Sequence, residues 1–125
     1  MSGPFFSEKD WSRGFPISLH VYIDGVEFRW IRLGLIIHFS SIELMKVVKI
    51  PWWVGARGVS TLFPLSKKLY IILGGHSAFR PGQGVLFERQ EGFWREVVIS
   101  VKNMEAFIEA VERASGRTVF KTDIQ

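Results

Sequence analysis

The sequence predicts a mainly β domain, a small antiparallel barrel or sandwich of about seven short strands capped by one C-terminal α-helix over Asn103–Ser115. Three observations predict it. Apolar and polar residues alternate with a period of two from Ile17 onward, the pattern of strands with one buried face. Glycine, proline and Asp-Gly signals recur between apolar runs too short for helices. Helical spacing of apolar residues occurs in one place, after Asn103.

The elements follow in chain order. Ile17, Leu19, Val21 and Ile23 point one way and Ser18, His20 and Tyr22 the other. Asp24-Gly25 suits a two-residue type I′ turn, both of whose positions take positive φ. Val26, Phe28 and Trp30 then alternate against Glu27, Arg29 and Ile31, completing a β-hairpin. Gly34 interrupts, Leu35–Phe39 reads as a third strand, and Ile42–Ile50 as a fourth, ended by Pro51, which lacks an N–H. Trp52–Ser60 reads as a bulged strand or an ordered loop, Lys68–Leu73 as a short strand, and Gly74–Gly84 as a loop by composition. Val85–Arg89 and Trp94–Val101 form a second hairpin around Gln90–Phe93.

Asn103 is placed to cap the helix, with Glu105 in the first turn, where the helix dipole favours an anion. Phe107, Ile108, Val111 and Ala114 share a face, and Gly116 stands where a C′ glycine belongs. The tail, Arg117–Gln125, reads as an added edge strand or a disordered trail. The whole chain, 1–125, is expected to be one domain: a core at about 17–115, an N-terminal extension at 1–16 and a tail at 116–125.

Composition narrows the function. There is no cysteine, which excludes disulfides and thiolate metal sites. No apolar run approaches the ~18–20 residues of a bilayer-spanning helix, and the opening residues lack a secretory pattern. The expectation is a cytoplasmic protein. Net charge is +4, but the distribution is uneven. Between Leu44 and Phe87 there is no Asp or Glu, while Lys46, Lys49, Arg57, Lys67, Lys68 and Arg80 are all cationic. Mean hydropathy is slightly positive, which points to an apolar interface on so small a protein.

The order of parts is similar to that of the pleckstrin-homology-like (PH-like) family, in particular its short prokaryotic modules. Ile17–Arg32 resembles the opening hairpin of that family. Ser41-Ile42-Glu43 through Val47 resembles its "I-x-x-V" half-strand, and Gly55-Ala56-Arg57-Gly58 its glycine–x–arginine turn. Gly84–Glu88, Val97–Val101 and Asn103-Met104-Glu105-Ala106-Phe107 resemble the last hairpin entering the closing helix. The resemblance implies a non-catalytic binding or scaffolding module. It implies no inositol-phosphate site at the first hairpin, where Asp24-Gly25 replaces a long basic loop.

Candidate chemistry is sparse. His20, His38 and His76 are scattered, so no metal site is expected. Ser77, His76 and Asp24 lack a nucleophile-elbow context, and Glu88, Glu91 and Glu96 lie on a hairpin where solvated charge is ordinary. The expectation is no enzyme and no cofactor. Gly74–Gly84 holds Arg80 but leads into a strand without the Lys-Ser or Lys-Thr of a phosphate loop. Pro51-Trp52-Trp53 with Arg57, Lys67 and Lys68 is the richest segment, since indoles favour the membrane–water interface and lysines are drawn to anionic headgroups. The expected binding residues are therefore Trp52, Trp53, Arg57, Lys67, Lys68 and Arg80. They would dock a protein partner or an anionic membrane surface, peripherally at its inner face. A nucleic-acid-binding barrel and a self-assembling subunit are the alternatives.

Overall fold

A computed structural model describes residues 5–12, 14–30, 33–50, 58–61, 67–73, 82–90 and 92–120. Its strands form two sheets. Sheet I is a four-stranded antiparallel meander of β1 (Phe6–Ser12), β2 (Phe15–Tyr22), β3 (Gly25–Trp30) and β4 (Leu33–His38). A 3-10 turn at Phe39–Ser41 carries the chain into sheet II. That sheet holds β5 (Ile42–Lys49), β6 (Gly58–Thr61), β7 (Lys68–Ile72), β8 (Gln83–Arg89) and β9 (Glu96–Ser100), in the spatial order β5-β8-β9-β7-β6. Helix α1 spans Met104–Ser115.

The mainly β class and the terminal helix match expectation, and the sheets make an open sandwich without barrel closure. The strands number nine among the described residues, and β7 runs parallel to β9. The parallel pair has a sequence basis. Leu69 to Leu73 and Val97 to Ser100 are buried without interruption, as strands covered on both faces require.

The predicted N-terminal extension contains a strand, β1, paired with β2 along its whole length. Inward-facing β1 positions pair with the core residues of β2, yet two of the three are acids: Phe6 with Val21, Glu8 with Leu19 and Asp10 with Ile17. Glu8 accepts a hydrogen bond from the Lys102 N–H at 3.0 Å, so the carboxylate lies where the helix begins rather than in the core.

The first hairpin turns one residue earlier than predicted. Tyr22 pairs with Gly25, which leaves Ile23 and Asp24 as the turn. Ile23 is accordingly exposed, whereas Ile17, Leu19 and Val21 are buried. Gly25 does not use a positive φ; a Cβ there would run into the Ile37 carbonyl, so the glycine permits close approach of β4. Phe39, expected in a strand, belongs to the 3-10 turn, and its N–H bonds the Asp24 carbonyl at 3.0 Å.

Between the sheets lies one continuous core, including Leu19, Val21, Phe28 and Ile37 from sheet I and Met45, Ile71, Phe87 and Ile99 from sheet II. Ile50, Tyr70, Ile72, Leu86 and Val98 form a second buried cluster. Helix α1 is capped as predicted: Asn103 Oδ1 accepts from the Ala106 N–H at 3.1 Å, and Gly116 takes φ 70°. Its Phe107 packs edge-on to Phe6 of sheet I at 5.5 Å and to Phe87 of sheet II at 6.3 Å. The helix thus closes one end of the sandwich with a single aromatic wedge.

After the helix, the Arg117 guanidinium reaches back across the chain. It donates to the carbonyls of Ile42 at 2.8 Å, Phe39 at 3.2 Å and Glu43 at 3.3 Å. The tail then joins sheet II as a bridge: Val47 N–H bonds the Phe120 carbonyl at 2.8 Å and Phe120 N–H bonds that of Met45 at 2.9 Å.

Two stability effects follow. Phe107→Ala should cost about 3–5 kcal/mol, as a large buried aromatic is lost from the contact of two sheets and a helix. Arg117→Ala should cost about 1.5–3 kcal/mol, with Arg117→Lys recovering little, because one ammonium cannot span three carbonyls. Urea denaturation measures both, and an Arg117→Ala midpoint equal to wild type contradicts the clasp.

Candidate functional site

Of the six expected binding residues, Trp52, Trp53, Arg57 and Arg80 lie outside the described residues. Lys67 and Lys68 are described, and both stand at the start of β7, beside the loop that joins β8 to β9. That loop supplies the partners that sequence reasoning did not connect with them.

Lys68 lies opposite Glu96 in the β7–β9 ladder, with Nζ 3.9 Å from the carboxylate. Its ammonium also lies 5.4 Å from the Tyr70 ring. Glu96 faces Glu88 on β8, so Lys68 offsets a cross-strand pair of like charges. Its role is internal to the sheet. Lys67 is different: it is exposed, and its Nζ stands 5.3 Å over the ring of Phe93. Phe93 is itself 51% exposed and meets Trp94 edge-to-face, with centroids 4.8 Å apart. Trp94 is half-buried and packs against the main core. One aromatic is rooted and the next is displayed.

Two arginines brace the loop from within. Arg89 donates from Nη1 to the Trp94 carbonyl at 3.0 Å. Arg95 donates from Nε to the Gly92 carbonyl at 3.1 Å and from Nη1 to that of Gln90 at 2.9 Å. Gly92 holds φ 98°, and a Cβ there would lie 2.5 Å from Arg89 Nη2. The Gln90 N–H bonds the Ser41 carbonyl at 2.8 Å, tying the loop base to the 3-10 turn between the sheets. Glu96 N–H reaches the Lys67 carbonyl at 3.4 Å, which fixes Lys67 against the same loop.

The result is a displayed Phe93 ring with the Lys67 ammonium over it. Lys67 and Arg95 are exposed, whereas Lys68 pairs with Glu96 and Arg89 is half-buried. Among the described residues, no group of three or more His, Asp or Glu side chains is placed to hold a metal ion. His20 shares a 2.8 Å hydrogen bond with Ser7 Oγ on the open face of sheet I. The first turn of α1 is flanked by Glu8, whose carboxylate already takes up an N–H where an anion would sit. No helix of the described residues is long and apolar enough to cross a membrane.

Gly92 supplies a direct check of the loop. Gly92→Val should cost about 1–3 kcal/mol, since a β-branched residue is strained at this φ and displaces the Arg89 guanidinium. Its amide spectrum should change from Arg89 to Glu96 while α1 is undisturbed; changes spread over the whole chain, or none, contradict the bracing.

Comparison with protein-family models, with curated proteins and with solved structures finds no match, so the functional reading rests on the residues of this chain.

Proposed function

We propose that this chain is a non-catalytic docking module that binds anionic phospholipid surfaces through the β8–β9 loop and the start of β7. The carrying observation is the Lys67 ammonium held over an exposed Phe93 ring, on a loop whose carbonyls at Gln90, Gly92 and Trp94 accept from Arg95 and Arg89. An aromatic ring suits the headgroup boundary, and a lysine stem lying along it directs the ammonium toward phosphate and carboxylate. Each cation near such a surface contributes about 1 kcal/mol. Hydrogen bonds that hold a loop before contact reduce the ordering cost of binding.

The expected pair Lys67 and Lys68 divides in this reading. Lys67 faces the ligand, and Lys68 holds Glu96. Trp52, Trp53, Arg57 and Arg80 remain part of the proposal as sequence candidates, since the same acid-free segment contains them. The PH-like relationship also remains a proposal: an antiparallel meander, a second sheet and a closing helix support it, while the parallel β7–β9 pair departs from an all-antiparallel layout. The docking reading gives the chain a peripheral place at a membrane surface.

Co-sedimentation with vesicles tests the proposal. Wild type should pellet with vesicles containing phosphatidylserine and not with phosphatidylcholine alone, and salt should weaken the binding. Lys67→Glu should lower partitioning about tenfold or more, and Phe93→Ala should add to the loss without moving the thermal melt. Equal binding to neutral vesicles, or undiminished binding by the double variant, contradicts it.

A further inference from the structure

A sheet edge with unpaired N–H and C=O groups is a template for another strand, and folded proteins usually protect it. Three edges here are protected. Strand β1 carries Glu8, Lys9 and Asp10 and meets Lys102 through Glu8. Strand β5 is met at its middle by the Phe120 bridge, beside Met45, Lys46 and Val47, and β6 is only four residues long. Strand β4 is the exception. It pairs with β3 and, among the described residues, with no other strand. Leu33–His38 contains no Lys, Arg, Asp, Glu or Pro over six residues.

We infer that β4 is a self-association edge, and that two copies of this chain join β4 to β4 antiparallel into one eight-stranded sheet. The occupant is argued from the strand's fit to itself. Side chains on β4 alternate, with Ile37 buried and half-buried Leu35 packed against the core, while Gly34 and Ile36 are on the open face. Ile36 is 51% exposed, on a strand whose outer edge has no strand partner among the described residues. Gly34 has open space where a Cβ would be.

A continuous sheet requires that facing residues share a face, which restricts the register to even steps. A two-fold axis at Leu35 places Ile36 of each copy against Gly34 of the other, a knob over a vacancy, repeated by symmetry. Inward-facing Leu35 meets its own counterpart on the axis, continuing the apolar layer. No charge opposes a like charge along the seam, because the strand has none.

A single strand edge lies at the small end of interface sizes, below ~1,200 Å², so the dimer should be weak and concentration-dependent. Its salt response should also oppose that of membrane docking. Each copy carries a net +4, and salt screens that repulsion while leaving backbone hydrogen bonds intact. This inference does not rest on the docking reading.

Sedimentation velocity of the full chain from about 5 to about 500 µM, at low and moderate salt, tests it. Wild type should shift from monomer to dimer as concentration rises, and more readily in salt. Ile36→Lys, a change at an exposed site, should stay monomeric throughout with an unaltered melting curve. The exchanged variant Gly34→Ile/Ile36→Gly should restore the dimer by swapping knob and vacancy. A wild type that is monomeric at every concentration, or an Ile36→Lys protein that dimerises as wild type does, overturns the proposal. An exchanged variant that stays monomeric overturns the Leu35-centred register. Lys67 and Phe93 variants should dimerise normally, so failure of docking and failure of dimerisation are read separately.

Discussion

The structure hangs on five residues, Phe39–Glu43, where the chain leaves one sheet and enters the other. A crossing of this kind leaves carbonyls without a ladder partner, and buried carbonyls must be satisfied. Arg117 donates to three carbonyls here with one guanidinium, whose fixed fork makes this geometry possible; that of Ile42 lies in the half-buried part of the contact, that of Phe39 also accepts the Ile42 N–H of the 3-10 turn, and that of Glu43 is exposed. The Gln90 N–H takes the Ser41 carbonyl, and the Phe39 N–H takes that of Asp24. The exit of the helix, the base of the β8–β9 loop and the first hairpin turn therefore share one anchor. Phe107 complements it at the other end of the helix by joining the two sheets through aromatic contact.

This arrangement explains how a small domain without disulfides can display an exposed phenylalanine on a stiff loop. The loop's own sequence supplies most of its bracing, through Arg89, Gly92, Trp94 and Arg95. It is held at its base by Ser41, from inside by Arg89 and Arg95, and from beneath by Trp94 in the core. In the proposed docking function, exposure of Phe93 would serve binding, since a loop held before contact avoids part of the ordering cost. In the proposed dimer the seam would run along β4 of sheet I, while the docking loops belong to sheet II of each copy. Two docking loops on one particle would bind a surface with a higher effective concentration than either alone.

Much of the fold was legible because burial leaves a period. Ile17, Leu19, Val21, Val26 and Phe28 declared a one-sided hairpin, and Asn103, Phe107 and Gly116 declared a capped helix. Strand β1 was hidden because its inward positions include Glu8 and Asp10, whose neighbours are the helix start and a sheet edge rather than the core. The turn was misplaced by one residue because Asp-Gly is a strong turn signal, whereas Gly25 answers to the approach of Ile37 from β4. Strand order across sheet II could not be read at all, since continuous apolar runs mark burial and not partners. For the site, Lys67 and Lys68 were visible as charges in an acid-free stretch. Their different duties were not, because Glu96, Phe93 and Arg95 are distant in sequence and only the parallel pairing of β7 with β9 brings them alongside.

The proposed docking function brings the Lys67–Phe93 projection to the membrane surface. Amide resonances of the ¹⁵N-labelled protein, recorded with nanodiscs containing about one-third phosphatidylserine, address it residue by residue. Broadening should be confined to Lys67, Gly92, Phe93 and Arg95 and their immediate neighbours, with the outer face of sheet I unaffected. Broadening centred on Lys9, Trp11 and Arg29, or an unchanged spectrum at saturating lipid, would contradict it.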